Sequence, residues 1–144
     1  MNFTIFNRNQ ALNYAKTQHD NTALVISING SSEPPAPIMP DKTNNIKAVL
    51  HIQFNDVDKD THNAMTELHA AHIAKFMSQY TADTLIVHCS AGQSRSAGVC
   101  AAIMKVLTGT DTPVFNDPKY TPNMRCYRLT MNALMDIKSK ESED

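Results

Sequence analysis

The stretch Thr84-Leu85-Ile86-Val87-His88-Cys89-Ser90-Ala91-Gly92-Gln93-Ser94-Arg95-Ser96 passes from an apolar run, through small residues, toward a helical segment. Residues 84–88 are short and apolar and read as a buried strand. Residues 96–107, rich in alanine and other small apolar residues, read as a buried helix, with Gly109 as its stop. A strand followed by a helix is the repeating unit of a parallel α/β sheet. Ligands of such sheets sit beyond the carboxyl ends of the strands. The connecting segment 89–95 is therefore the first place to look for chemistry.

That segment holds a cysteine, five small or polar residues and an arginine. A tight loop of small residues can turn its N–H groups inward and, with the helix N-terminus behind it, form an anion site. Gly92 gives the loop access to positive φ. Arg95 adds a planar fork matched to two oxygens of a phosphate-like group. Cys89 shares the cup, where the same field favours thiolate over thiol and predicts a pKa below the reference of about 8.5. A nucleophile at the floor of an anion cradle is the expectation.

The segment resembles the signature loop of the cysteine-dependent protein tyrosine phosphatases, His-Cys-x-x-Gly-x-x-Arg-Ser/Thr. His88, Cys89, Gly92, Arg95 and Ser96 match every defining position. The Ser94-Arg95-Ser96 ending is more similar to the dual-specificity subgroup than to the tyrosine-specific one. The resemblance implies that Cys89 is the nucleophile and that Ser90, Ala91, Gly92, Gln93, Ser94 and Arg95 bind the phosphate. It implies that Ser96 donates to the departing thiolate and that His88 supports the loop. It also implies an aspartate general acid about thirty residues upstream. Asp56, Asp58 and Asp60 lie at that distance; Asp56 directly follows a strand and is preferred, with Asp58 the alternative. Asp60 better fits the cap of a helix starting near His62. No tryptophan occurs in the chain, so no Trp-Pro-Asp acid loop is present. A Pro122-Asn123 pair before the last helix resembles a dual-specificity feature, in which the asparagine supports the signature or acid loop.

The remaining elements extend the α/β reading on both sides. Residues 3–6, 23–28 and 46–54 read as strands, and Asn29-Gly30 ends the second. Helices are predicted over Arg8–Gln18 with Asn7 as N-cap, and over His62–Tyr80. In the latter, Met65, Leu68, Ile73, Phe76, Met77 and Tyr80 fall on one face. A last helix is predicted from Thr121-Pro122 to Lys138. Residues 31–45, with four prolines, read as a surface loop long enough to be functional. Residues 109–121 read as a loop and 139–144 as a frayed charged tail. The fold class expected is one α/β domain spanning 1–144, with a small, mainly parallel sheet flanked by helices, similar to the tyrosine phosphatases.

Composition limits the alternatives. The 144 residues are 42% hydrophobic and 19% charged, with net charge -1, which excludes wholesale disorder and a broad basic nucleic-acid or membrane surface. No apolar run approaches the ~20 residues of a membrane span and no leader is visible, so a cytoplasmic monomer is expected. Three cysteines without Cys-x-x-Cys spacing give neither a disulfide framework nor a zinc site. Cys100 and Cys126 are read as packing residues, with a resolving thiol as the alternative for Cys126. His69 and His72 lack a third partner and are read as ordinary helix residues. No cofactor or metal is expected. The activity expected is hydrolysis of phosphotyrosine, with phosphoserine and phosphothreonine as further substrates, on a phosphorylated protein or small phosphomonoester. The rivals are a rhodanese-like sulfurtransferase or arsenate reductase, a non-catalytic phospho-binding module, and a phosphoinositide or RNA 5′-triphosphate phosphatase. The last group usually carries an extra loop cation, which residues 90–94 lack.

Overall fold

The computed structural model describes residues 1–41 and 45–143. Four strands form one sheet: β1 (Asn2–Phe6), β2 (Ala23–Asn29), β3 (Ile46–Gln53) and β4 (Thr84–His88), in the order β1-β4-β2-β3. Every pairing is parallel. The helices are α1 (Arg8–Ala15), α2 (Glu67–Gln79), α3 (Arg95–Thr108), a single turn α4 (Thr112–Phe115) and α5 (Met124–Glu143). The chain thus has the expected α/β architecture. With all strands parallel, the segments that leave Phe6, Asn29, Gln53 and His88 emerge from one edge of the sheet.

Strand β2 is buried along its whole length and sorts its side chains by the two-residue pleat. Leu24, Ile26 and Ile28 face the larger core with residues of α2, α3 and α5, including Ile73, Val99, Ile103 and Leu134. Ala23 and Val25 face the other side, where Ala11 of α1, Ala36 and Ile38 cover the sheet. Ser27, Asn29 and His88 continue this second face and are fully buried polar groups. Ser27 stands opposite His88 in the β2–β4 register, and Phe6 stands opposite His88 in the β1–β4 register.

Several boundaries differ from expectation. Helix α1 stops at Ala15, short of Gln18, although Asn7 caps it as expected, in a reciprocal capping box with Gln10. Helix α2 starts at Glu67, capped by Thr66, so Asp60 does not cap it; Asp60 instead pairs with Arg125 at 3.5 Å. Of the expected apolar face, Met65, Ile73 and Phe76 are buried and Met77 packs against the core, while Leu68 is 65% exposed and Tyr80, at the C-cap, is 40% exposed. Residues 112–115 form a turn of helix, with Pro113 at a permitted first-turn position. In the proline-rich segment, Ala36 and Ile38 are core residues, so it is not wholly a surface loop; its residues 42–44 lie outside the described ones. Helix α5 starts at Met124, after Asn123, and continues through Glu143. The expected tail is thus helical, with Asp144 outside the described residues.

Helix α3 is buried from Arg95 to Met104 and packs closely on α5. Gly98 makes that approach possible: a Cβ there would lie 2.4 Å from the Asn123 carbonyl oxygen and 3.0 Å from the Cys126 Cβ. Gly98→Ala should therefore push the α5 N-terminus away from α3 and destabilise the fold by roughly 1–3 kcal/mol, despite alanine's better helix propensity. Urea unfolding checks this. A variant as stable as the parent would show that the contact relaxes freely.

Candidate active site

The loop between β4 and α3 is held by its carbonyls. The Cys89 carbonyl lies 3.4 Å from His88 Nδ1. The Ser90 carbonyl accepts from the Arg8 N–H at 3.2 Å, and the Gln93 carbonyl from the Thr121 N–H at 2.9 Å. The Ser94 carbonyl accepts from the N–H groups of Gly98 at 2.9 Å and Asn123 at 3.0 Å. A trans peptide points its N–H opposite to its carbonyl. Carbonyls bonded outward therefore turn the N–H groups of Ser90, Ala91, Ser94 and Arg95 toward the loop's interior. Gly92 makes the bend at φ +70°, and a Cβ there would fall 2.6–2.8 Å from the backbone of Phe6 and Asn7. The position thus excludes a side chain twice, by torsion and by space.

Cys89 is buried at the base of the loop, with Sγ 3.0 Å from the Ser96 hydroxyl. Arg95 starts α3 and folds back over the loop. Its Nη1 donates to the Phe54 carbonyl at 2.9 Å, and its Nη2 donates to Ser90 Oγ at 3.1 Å. Ser90 Oγ lies 2.8 and 2.9 Å from the two carboxylate oxygens of Glu33. Glu33 also accepts from the Gly30 N–H at 2.6 Å. These bonds, with the Arg95 and Arg8 charges, hold its pKa below the ordinary carboxylate value.

Behind the cysteine runs a buried polar chain. Arg8 Nη1 donates to Asn29 Oδ1 at 2.6 Å, Asn29 Nδ2 donates to Ser27 Oγ at 3.3 Å, and Ser27 Oγ lies 2.6 Å from His88 Nε2. The Cys89 carbonyl can only accept, so the contact with His88 Nδ1 assigns the proton to that nitrogen. Nε2 of the neutral ring is then the acceptor for the Ser27 hydroxyl. Burial pushes the His88 pKa down to about 4, which keeps the ring neutral in the folded protein.

Asp56 closes the site from the other side. Its Oδ1 accepts from Ser94 Oγ at 2.8 Å and from Asn123 Nδ2 at 2.9 Å. Asn123 Nδ2 also donates to the Val57 carbonyl at 3.0 Å, while its Oδ1 caps α5 by accepting from the Cys126 N–H at 3.0 Å. One asparagine thus joins the acidic turn, the loop and the last helix. A cleft of about 560 Å³ begins at Asp56 and Ser94 and continues between Val57, Lys59, Pro122 and Met124. Asp58 lines this cleft, and Asp60 sits farther out with Arg125.

The remaining candidates have other surroundings. Cys100 and Cys126 are fully buried, and burial pushes both thiols up to about 12. His69 Nδ1 accepts from the Thr66 N–H in the α2 cap. The structure also brings in four residues that sequence reasoning missed: Glu33, Arg8, Ser27 and Asn29. The two polar residues inside the otherwise apolar β2 were a visible signal, since burying such groups requires partners. Glu33 and Arg8 meet the loop across long sequence separations and carried no local sign.

No protein-family model matches the sequence, and no curated protein matches it. Solved structures do match. Human DUSP28 superposes with TM-score 0.54 at 15% identity, covering 96% of this chain and 94% of that one. PTPMT1 gives 0.57 at 13%, covering 99% and 96%. A mouse protein assigned as a dual specificity phosphatase, complexed with zinc tungstate, gives 0.55 at 17%, covering 96% and 86%. The chain therefore has the fold of the dual-specificity phosphatases.

The neutral His88 makes stability depend on pH. Between its folded pKa of about 4 and the ordinary 6.5, the unfolded chain takes up a proton that the folded chain refuses. Stability should fall by roughly 3 kcal/mol as pH drops through this window, beyond what the carboxylates contribute. Denaturant unfolding of wild type and His88→Asn at pH 4.5 and 7 checks it. Equal pH slopes in the two proteins would contradict the assignment.

Proposed function

We propose that the chain is a cysteine-dependent phosphomonoesterase acting on phosphotyrosine, and on phosphoserine and phosphothreonine as further substrates, of a protein or small molecule. The carrying observation is that the Asp56 carboxylate is bonded to Ser94 of the same loop that holds Cys89 at its base. A nucleophile, an anion cradle and an acid thus meet within one cup. The dual-specificity fold of the matching structures supports the same reading.

In this reading the inward N–H groups and Arg95 bind the phosphoryl oxygens, and Cys89 thiolate attacks phosphorus in line with the leaving oxygen. The cradle carries the charge on the equatorial oxygens through the transition state. The P–O bond breaks, and Asp56 delivers its proton to the departing oxygen. The phosphocysteine is then hydrolysed: Asp56, now a carboxylate, takes a proton from water, which attacks phosphorus, and the P–S bond breaks. Ser96, at 3.0 Å from Sγ, donates to the leaving thiolate. Gln93, on the rim, helps place the water. Asn123 and Ser94 hold Asp56, and the cleft beyond it receives the leaving group. Asp58, in the same cleft, is the alternative acid. Among the described residues no helix is long and apolar enough to cross a membrane. A reducing cytoplasm suits a working thiol, and the reading needs only one copy of the chain.

Aryl phosphates of graded leaving-group pKa provide the test. Cys89→Ser should lose turnover by on the order of a thousand-fold or more on every ester, since it removes the nucleophile. Asp56→Asn, which keeps an acceptor for Ser94, should cost on the order of 10²–10⁴-fold on poor leaving groups and far less on good ones. Activity surviving in Cys89→Ser would end the nucleophile assignment. Equal losses across leaving groups for Asp56→Asn, with a graded loss for Asp58→Asn, would move the acid to Asp58.

A further inference from the structure

Glu33 takes no part in the reaction scheme, yet it is bonded into the loop at the residue after the nucleophile. Its Oε1 accepts from the Gly30 N–H at 2.6 Å, and its backbone carbonyl accepts from Gln53 Nε2 at 3.0 Å. The residue is thereby fixed to the ends of β2 and β3. Ser90 Oγ lies within 2.9 Å of both its carboxylate oxygens and 3.1 Å from Arg95 Nη2. A hydroxyl has one proton, and a carboxylate only accepts. Ser90 therefore gives its proton to Glu33 and turns a lone pair toward Arg95. Among the described residues the guanidinium has two anchors, the Phe54 carbonyl on Nη1 and this hydroxyl on Nη2.

We infer that Glu33 is a positioning residue: through the Ser90 hydroxyl it fixes the plane of the Arg95 guanidinium for the phosphoryl oxygens. This rests on the phosphomonoesterase reading, in which Arg95 binds those oxygens. A planar fork recognises two oxygens only in a narrow range of orientations. Without the Glu33 acceptor the Ser90 hydroxyl turns freely and one anchor loosens. What matters in this arrangement is the reach of the acceptor rather than its charge, and two substitutions separate these. Glu33→Gln keeps an oxygen at the same reach and removes the charge. Glu33→Asp keeps the charge and withdraws it by one methylene.

The probe is tungstate, a tetrahedral oxyanion, with its dissociation constant measured as a competitive inhibitor and by calorimetry. Thermal unfolding of each variant accompanies it. Glu33→Asp and Ser90→Ala should each weaken tungstate about ten-fold, and Glu33→Gln should stay within about threefold of wild type. The double variant Glu33→Asp/Ser90→Ala should also be weaker by about ten-fold, because both changes break one relay. A double variant weaker by about a hundred-fold would show that the two residues act independently and overturn the inference. Glu33→Gln falling as far as Glu33→Asp would overturn it too. Wild type that fails to bind tungstate, or Arg95→Lys that binds it as tightly as wild type, would instead overturn the phosphomonoesterase reading beneath it.

Discussion

A loop that turns its N–H groups toward its own interior has to satisfy its carbonyls somewhere else. In this protein that requirement organises the chain. The carbonyls of residues 89, 90, 93 and 94 are taken by His88, Arg8, Thr121, Gly98 and Asn123. These donors come from β4, the start of α1, the first turn of α3 and the connection into α5. Segments without any recognisable motif thereby acquire a physical task. Phe6 and Asn7 lie so close behind the loop that position 92 admits no Cβ, and Arg8 holds one of its carbonyls.

Around this loop Arg95, Glu33 and Asp56 are each held by hydrogen bonds. The net charge of the chain is -1, so the chain as a whole carries no excess of positive charge. The positive potential is local: inward peptide dipoles, the N-terminus of the 14-residue α3 and the Arg95 guanidinium. Arg8 stands at the far end of the Asn29–Ser27–His88 chain that ends on the Cys89 carbonyl. Glu33 and Asp56 each accept from a serine hydroxyl of the loop, Ser90 and Ser94 respectively. The two serines that flank the bend thus tie the loop to two carboxylates, one fixed at β2 and β3, the other beside an open cleft.

The fold was largely legible because its two central strands, β2 and β4, are buried on both faces. Such strands must be near-continuous apolar runs, and 23–28 and 84–88 are written that way, whereas the edge strand β3 carries Lys47, His51 and Gln53 as exposed residues between buried ones. Element starts were harder where an unusual residue did the capping. The box at Thr66 closes on a histidine, His69, instead of the glutamate or glutamine that marks the pattern, so the sequence does not signal the start of α2 at Glu67. The local part of the site was equally readable, since Cys89 to Ser96 is one contiguous strand–loop–helix unit. The Pro122-Asn123 pair is equally visible in the sequence, though not the double use of Asn123 as helix cap and tether of Asp56. Glu33 was hidden, because it reaches the loop across 57 residues of sequence from a proline-rich segment. No local periodicity reports such a contact. Ser27 and Asn29 announced a buried polar network by breaking an apolar strand, but not its members.

The central claim is that the thiol at the base of the loop takes the phosphoryl group. The most direct measurement is mass spectrometry of enzyme quenched in acid during turnover of an aryl phosphate, with the phosphoryl group mapped to a peptide. The account predicts a phosphate on Cys89 that forms within the first turnover and disappears as substrate is exhausted. Sustained turnover with no covalent adduct, or with the phosphate on another residue such as His88, would contradict it.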